Sequence, residues 1–307
     1  MRIAIIGRTE ILYDTAVLLR RVGHTITCIL TAKEAPEYAR TSADFKALAE
    51  AWNVPFARGA RIVEHIAFLK ESMSDIAVSV NYPTIIPQEI IDLFPFGILN
   101  AHGGDLPRYR GNACQAWAIL NGEERIGLCI HKMAGGELDS GDIIARDYFP
   151  LDLSTKITHV WNWMVKRTPE LMLEAIEKLA VNPGYVLEQQ SRNQADALRC
   201  YPRLPEDGRI DWSKSAIEVL RLINASNKPY AGAFCEFKGR RLTIWDAELV
   251  RDEEIFCAVP GQVTRITADG VEVACGTGKI RIKQVQLEGE DEVPLTKYIN
   301  SVRERLR

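Results

Sequence analysis

No apolar run in this chain approaches the ~20 residues needed to span a bilayer; a typical long one is IAVSV. No membrane partner is therefore expected. Charge of one sign is not in excess either. Lys and Arg number 38 against 41 Asp and Glu, a net charge of -3, so no global basic field gathers nucleic acid, and only a local patch could do so. The seven cysteines, at 28, 114, 129, 200, 235, 257 and 275, form no CxxC pair. That usage reads as reduced core thiols in a cytoplasmic protein, with no disulfide framework and no metal site. MRIAIIG at the start reads as a first strand and lacks the extended apolar segment and small-residue cleavage site of a signal peptide.

Several nucleotide and hydrolase motifs are also missing. The chain starts as βαβ, yet its first turn, GRTEIL, holds only Gly7 and lacks the G-x-G-x-x-G set. A pyrophosphate would have no close backbone approach there, which argues against NAD or FAD. No P-loop, H-E-x-x-H, G-x-S-x-G, repeat or low-complexity tract is found.

What is present is a regular alternation. MRIAIIG, HTITCILT, DIAVSV, FGILNAH and RIGLCIHKM read as strands. ILYDTAVLLRRVG, SADFKALAEAW (opened by a Ser/Asp cap) and NACQAWAILNG read as helices. This pattern predicts an α/β fold with a Rossmann-like, mostly parallel sheet covered on both faces. Residues 154–180 read as helix restarted at Pro169, and 182–209 lose periodicity and read as connecting chain. Beyond one more helix, DWSKSAIEVLRLINA, short strands with KGR, ADG and GTG turns predict a small antiparallel β-barrel or sandwich. The expected organisation is a catalytic domain over 1–190, a linker over 191–209 and a β-rich domain over 210–307.

Ligands of open parallel sheets sit beyond the carboxyl ends of the strands, and "ILNAHGGDLPRYRG" begins at such an end. Asn100 and His102 are two apart, so on a strand they project from the same side. Asp139 lies in ELDSGDI, a loop following the strand LCIHKM. An amide, an imidazole and a carboxylate brought together suit acyl transfer to an amine. The amide N–H stabilises a tetrahedral oxyanion, the imidazole takes the amine's proton, and the carboxylate orients the imidazole. From spacing alone His102 also reads as a hydrogen-bonded structural residue and Asp139 as a turn former. His24, His65 and His159 carry no functional signal, and His131 is undecided.

"NAHGGDLPRYRG" followed by "LDSGDI" resembles the paired signature of the 10-formyltetrahydrofolate-dependent formyltransferase family: N-x-H, then L-P-x-Y/W-R-G, then D-x-G. "SVNYPTIIPQEI" resembles the family segment ahead of the N-x-H strand, and the likeness covers nearly the whole chain. The resemblance implies Asn100, His102 and Asp139 as the catalytic set and 10-formyltetrahydrofolate as donor. It implies a pterin pocket lined near Ile85, Ile86 and Pro87 and by the 135–142 loop, with Gly135, Gly136, Leu138 and Asp142. Arg110 and Asn112, just after the loop, are expected to contact the acceptor or its phosphates. Where many members have Ser-Leu before L-P, this chain has Gly104-Asp105, which makes Asp105 a further residue on the acceptor side.

The tRNA-acting members resemble one another in a basic loop after the second strand. Here TAKEAPEYARTSADF sets Lys33 and Arg40 against Glu34, Glu37 and Asp44, too little positive charge to neutralise phosphates. The stretch 204–250, with "NKPYAGAF" and "LTIW", resembles the formyltransferase domain of the bifunctional polymyxin-resistance enzyme. The expected acceptor is thus a small-molecule amino sugar, nucleotide-linked, and not a nucleic acid. Methionyl-tRNA formylation and formyltetrahydrofolate hydrolysis are the alternatives. Exposed strands in the C-terminal portion make a homodimer the expected oligomer, if any.

Overall fold

A computed structural model describes residues 1–191, 193–252 and 254–307. The strands are β1 (Arg2–Gly7), β2 (Thr25–Thr31), β3 (Phe56–Arg58), β4 (Ile76–Val80), β5 (Ile98–His102), β6 (Tyr109–Gly111), β7 (Arg125–Lys132), β8 (Ile143–Pro150), β9 (Leu198–Cys200), β10 (Ala233–Phe237), β11 (Arg240–Leu249), β12 (Val263–Thr267), β13 (Gly270–Ala274), β14 (Lys279–Leu287) and β15 (Glu292–Pro294). The helices are α1 (Glu10–Arg21), α2 (Ser42–Trp52), α3 (Ile66–Glu71), α4 (Gln88–Ile91), α5 (Cys114–Asn121), α6 (Ile157–Val181) and α7 (Ala216–Ala225). The chain divides into two compact units, the first holding 1–114, 126–149 and 161–201, the second 115–125, 150–160 and 202–307.

In the first unit one sheet runs in the order β3-β2-β1-β4-β5-β7-β8. β1, β2, β3, β4 and β5 pair in parallel and β7 joins β5 antiparallel. The central strands β1 and β4 are buried apart from Arg2, as AIIG and IAVSV predict for a sheet covered on both faces. Ala4, Ile6, Leu30, Ala77, Ile90 and Ile98 share one apolar cluster. The cap of α2 lies one residue ahead of the expected Ser/Asp. Thr41 accepts from the Asp44 N–H and Asp44 accepts from the Thr41 N–H, a reciprocal capping box.

Two stretches differ from the sequence reading. α6 runs through Pro169 as one helix. A helical proline costs about 3 kcal/mol, and burial of Leu171, Met172, Ala175, Ile176 and Leu179 along the same helix outweighs it. Within the stretch read as a linker, residue 192 lies outside the described residues. Leu198–Cys200 forms β9, which pairs in parallel with β6, and the first unit continues to Tyr201.

In the second unit an antiparallel sheet runs β10-β11-β14-β13-β12, with β15 beside β14. Its hairpins turn at Lys238-Gly239, at Ala268-Asp269 and, between β13 and β14, at residues 275–278. The chain end joins the two outer strands: the Arg307 N–H donates to the Glu236 carbonyl at 2.9 Å, and the Val263 N–H to the Glu304 carbonyl at 3.2 Å. Residues 304–307 thereby bridge β10 to β12 and close the sheet around Leu242, Ile244, Val271, Ile280 and Ile282. Ser215 caps α7 through a capping box with Glu218. Among the described residues no helix is long and apolar enough to cross a membrane.

Candidate active site

β5 ends where its parallel neighbours end, and β7 lies antiparallel beside it with Asn100 opposite His131 and His102 opposite Cys129. Directly opposed residues of an antiparallel pair share a face, so Asn100, His102 and His131 project together. Asp139 reaches the same place from the loop after β7. Its Oδ2 lies 3.4 Å from His102 Nδ1 and its Oδ1 3.4 Å from His131 Nε2. The Gly111 N–H of β6 donates to Oδ2 at 3.0 Å. The three predicted residues thus converge, and the undecided His131 joins them.

The two imidazoles are tied down on their far sides. His102 Nε2–H donates to the Tyr109 carbonyl at 2.7 Å, and His131 Nδ1–H donates to the Lys132 carbonyl at 2.9 Å. A carbonyl only accepts, so each bond fixes which nitrogen carries hydrogen. In the neutral ring His131 Nε2 then accepts from the Asn100 Nδ2–H, 3.2 Å away. This bond orients the Asn100 amide and leaves its second N–H for a developing oxyanion. The side chains of His131 and His102 are 1% and 8% exposed and that of Asp139 10%, so the cluster is nearly dry.

Burial pushes the Asp139 carboxyl toward its neutral form. The protonated forms of His102 and His131, with the Gly111 N–H, outweigh that and hold it well below the usual carboxylate range. Asp139 is therefore a fixed anion between two imidazole rings.

Two glycines near the cluster, one in each motif, have a steric reason. A Cβ on Gly104 would lie 2.4 Å from both His102 Nε2 and the Tyr109 carbonyl oxygen, in the middle of their hydrogen bond. A Cβ on Gly141 would meet the Lys132 carbonyl oxygen at 1.8 Å. Asp139 itself takes a left-handed φ of 49°, a conformation a non-glycine residue holds only when its surroundings impose it.

The other expected residues spread around this centre. Ile85 is 57% exposed and Ile86 buried. Pro87 precedes α4, whose Gln88 Oε1 accepts from the Gly135 N–H at 3.0 Å. The 85–87 and 135–136 segments are thereby neighbours, with Gly136 exposed and Leu138 half-buried. Asp142 Oδ1 accepts from the Gln190 N–H at 3.3 Å. Arg110 Nη2 donates to Gln190 Oε1 and the Ser191 carbonyl, each at 3.0 Å. Asn112 is exposed, and Asp105 lies against β7, its Cα 2.8 Å from where a Cβ on Gly127 would stand.

Sequence reasoning left His131 undecided and missed Gln190. The alternation of RIGLCIHKM puts positions 127, 129 and 131 on one face, but only the antiparallel pairing of β7 with β5 brings that face to the site. Gln190 carried no signal, because it falls in an aperiodic stretch and acts through contacts 49 and 51 positions away in sequence.

Comparison with known proteins agrees with the motifs. The family model for formyl transferase matches residues 1–176, and that for the formyl transferase C-terminal domain matches 204–303. The methionyl-tRNA formyltransferase of Acetivibrio thermocellus is 28% identical over 97% of this chain and 96% of its own. That of Geotalea uraniireducens is 31% identical over 94% and 91%. Among solved structures, the sugar 3N-formyl transferase WlaRD, in the presence of dTDP and 5-N-formyl-THF, aligns with a TM-score of 0.68 at 16% identity, covering 95% of this chain and 99% of its own. HypX from Aquifex aeolicus in complex with tetrahydrofolic acid aligns at a TM-score of 0.61 and 20% identity over 98% of this chain, which spans 47% of HypX. At such identities the structures show the shared fold. The family match over more than half of the sequence, with a relative above 30% identity along nearly all of it, establishes that the chain belongs to the formyl transferase family and is a formyltransferase.

Proposed function

We propose that this formyltransferase moves the formyl group of 10-formyltetrahydrofolate to the amine of a nucleotide-linked amino sugar. The observation that carries the choice of acceptor is the connection between β2 and α2, residues 32–41. It holds one lysine and one arginine against two glutamates. Arg40 lies over the Tyr13 ring at 4.4 Å and pairs with Asp44 at 3.5 Å, and Glu34 accepts from the Ser42 N–H at 3.1 Å. A neutral loop whose arginine is engaged locally offers little to a phosphate backbone, whose binding grows with each cation supplied.

The chemistry follows from the cluster around Asp139. The amine attacks the formyl carbon, and Asn100 donates its second N–H to the oxyanion that forms. With Nε2–H committed to Tyr109, the basic nitrogen of His102 is Nδ1, on the Asp139 side. The amine's proton passes to it as the C–N bond forms. Asp139 stabilises the resulting imidazolium, which returns the proton to N10 as tetrahydrofolate leaves. Ile85, Ile86, Pro87 and the 135–142 loop would hold the pterin, with Asp105, Arg110 and Asn112 on the acceptor side.

Incubation with 10-formyltetrahydrofolate and a panel of UDP-, dTDP- and GDP-linked amino sugars, read by mass spectrometry, tests this. A formyl increment on a panel member is expected; its absence from all of them removes the reading. A second reading, methionyl-tRNA as acceptor, is favoured by the names of the sequence relatives. Tight, salt-sensitive retention of initiator Met-tRNA in a filter-binding assay would select it. Release of free formate without acceptor would instead mark a hydrolase.

A further inference from the structure

Gln190 lies outside both family-model matches and is 6% exposed. Every polar atom of its side chain points at the site. Its Nε2 donates to the Asp139 carbonyl at 3.0 Å and to the Gly141 carbonyl at 2.6 Å, while its Oε1 accepts from Arg110 Nη2 at 3.0 Å. Its backbone N–H donates to Asp142 Oδ1 at 3.3 Å. The amide cannot turn over without setting its oxygen against two carbonyls and its NH2 against a guanidinium.

The delivery of Gln190 is specific too. Residues 187–188 bond to Ile143 at the start of β8, with the Leu187 N–H donating to the Ile143 carbonyl and the Ile143 N–H to the Glu188 carbonyl, both at 2.9 Å. On its other side the loop is held by the Lys132 N–H, which donates to the Asp142 carbonyl at 2.9 Å, and by the absence of room for any side chain at Gly141. Asp139, in its left-handed conformation, is gripped between these two attachments.

We propose that Gln190 is a positioning residue for formyl transfer. It clamps the 139–142 loop so that the Asp139 carboxylate stays between His102 and His131, and it locks Arg110 to the same loop. The inference rests on the reading of Asp139 as part of the reacting site, and its test separates the two. Loss of the clamp lets the carboxylate drift relative to both rings, and displacements near 1 Å cost up to about a hundredfold in rate.

The test uses Gln190→Leu, Gln190→Glu, Asp139→Asn and the double variant Gln190→Leu/Asp139→Asn in the full chain. Gln190→Glu keeps size and the Arg110 acceptor but loses both donors, so it serves if Gln190→Leu does not fold. The first readout needs no acceptor: 15N signals of the five histidine rings, assigned with His102→Asn and His131→Asn. Either Gln190 variant should move the His102 and His131 signals and leave those of His24, His65 and His159 in place. In the Asp139→Asn background the Gln190→Leu change should have no further effect on them. The second readout is formyl transfer to whichever panel acceptor is used, where kcat should fall about ten- to a hundredfold with KM for 10-formyltetrahydrofolate little changed. Ring signals that do not move, or that move equally in the Asp139→Asn background, overturn the proposal. If they move as expected while Asp139→Asn leaves formyl transfer intact, the clamp stands and the reading of Asp139 falls.

Discussion

Each unit of this molecule buries a carboxylate, and the two are neutralised in opposite ways. In the first unit Asp139 faces two imidazoles, each 3.4 Å away. In the second, Glu272 of β13 is fully buried and meets Arg281 at 2.8 Å, Arg265 at 3.7 Å and Lys279 at 3.9 Å. Lys279 is itself 2% exposed. Burial disfavours its charge, but Asp252 and Glu254 more than offset this and raise its pKa. Arginine and lysine keep their protons at any physiological pH, so the Glu272 cluster is a set of permanent charges that fastens strands together. The Asp139 cluster has imidazoles as partners, the side chain most often used to carry a proton in catalysis. Burial of charge is common to both; the partners' chemistry is what suits the Asp139 cluster to the proposed proton transfer.

That contrast can be broken or sharpened by substitution. The largest expected effect is on activity: Asn100→Ala and His102→Ala should each lower formyl transfer by roughly two to three orders of magnitude, with circular dichroism and thermal midpoint near those of the parent. Glu272→Gln should do the reverse. It should lower unfolding free energy by on the order of 2 kcal/mol, as loss of a charge-assisted bond to Arg281 implies, and leave kcat within about twofold. A large activity loss in Glu272→Gln would dissolve the distinction between the two clusters.

A smaller effect concerns acid. Because the folded-state pKa of Asp139 is depressed, its contribution to stability is complete above the unfolded-state value of ~3.9. It is lost as pH falls through the lower folded-state value. The stability gap between the parent and Asp139→Asn, about 1–2 kcal/mol for a charged hydrogen-bonded group, should therefore shrink in denaturation curves below about pH 4. A gap unchanged down to pH 2 would contradict an ionised Asp139. Smallest of all, Lys46→Ala removes a pair with Glu50 whose side chains are 63% and 68% exposed. It should cost under about 0.5 kcal/mol, the baseline for a charge pair that is neither buried nor placed.

Most of the first unit was legible in the sequence because its signals are local. Apolar runs such as IAIIG and IAVSV, with helices between them, specify buried parallel strands without reference to anything distant. The strand end at Asn100 and His102 was legible for the same reason, and Asp139 entered through a motif. His131 was not, because its role depends on β7 lying antiparallel to β5, a long-range pairing that no local periodicity encodes. Gln190 was hidden further still, in a stretch without period that is held by bridges to Ile143. Gly104 entered only as half of the Gly104-Asp105 pair ahead of L-P. Its reason is a hydrogen bond between His102 and Tyr109 that fills the space of its missing Cβ.

The central claim is that the proton-transferring cluster of the first unit passes formyl groups to a small amine rather than to RNA. The most direct measurement is a competition with formyl-labelled 10-formyltetrahydrofolate, nucleotide-linked amino sugars and initiator Met-tRNA in one mixture. The account predicts label in the acid-soluble sugar fraction, and its loss in Asn100→Ala. Label in the acid-precipitable RNA would contradict it.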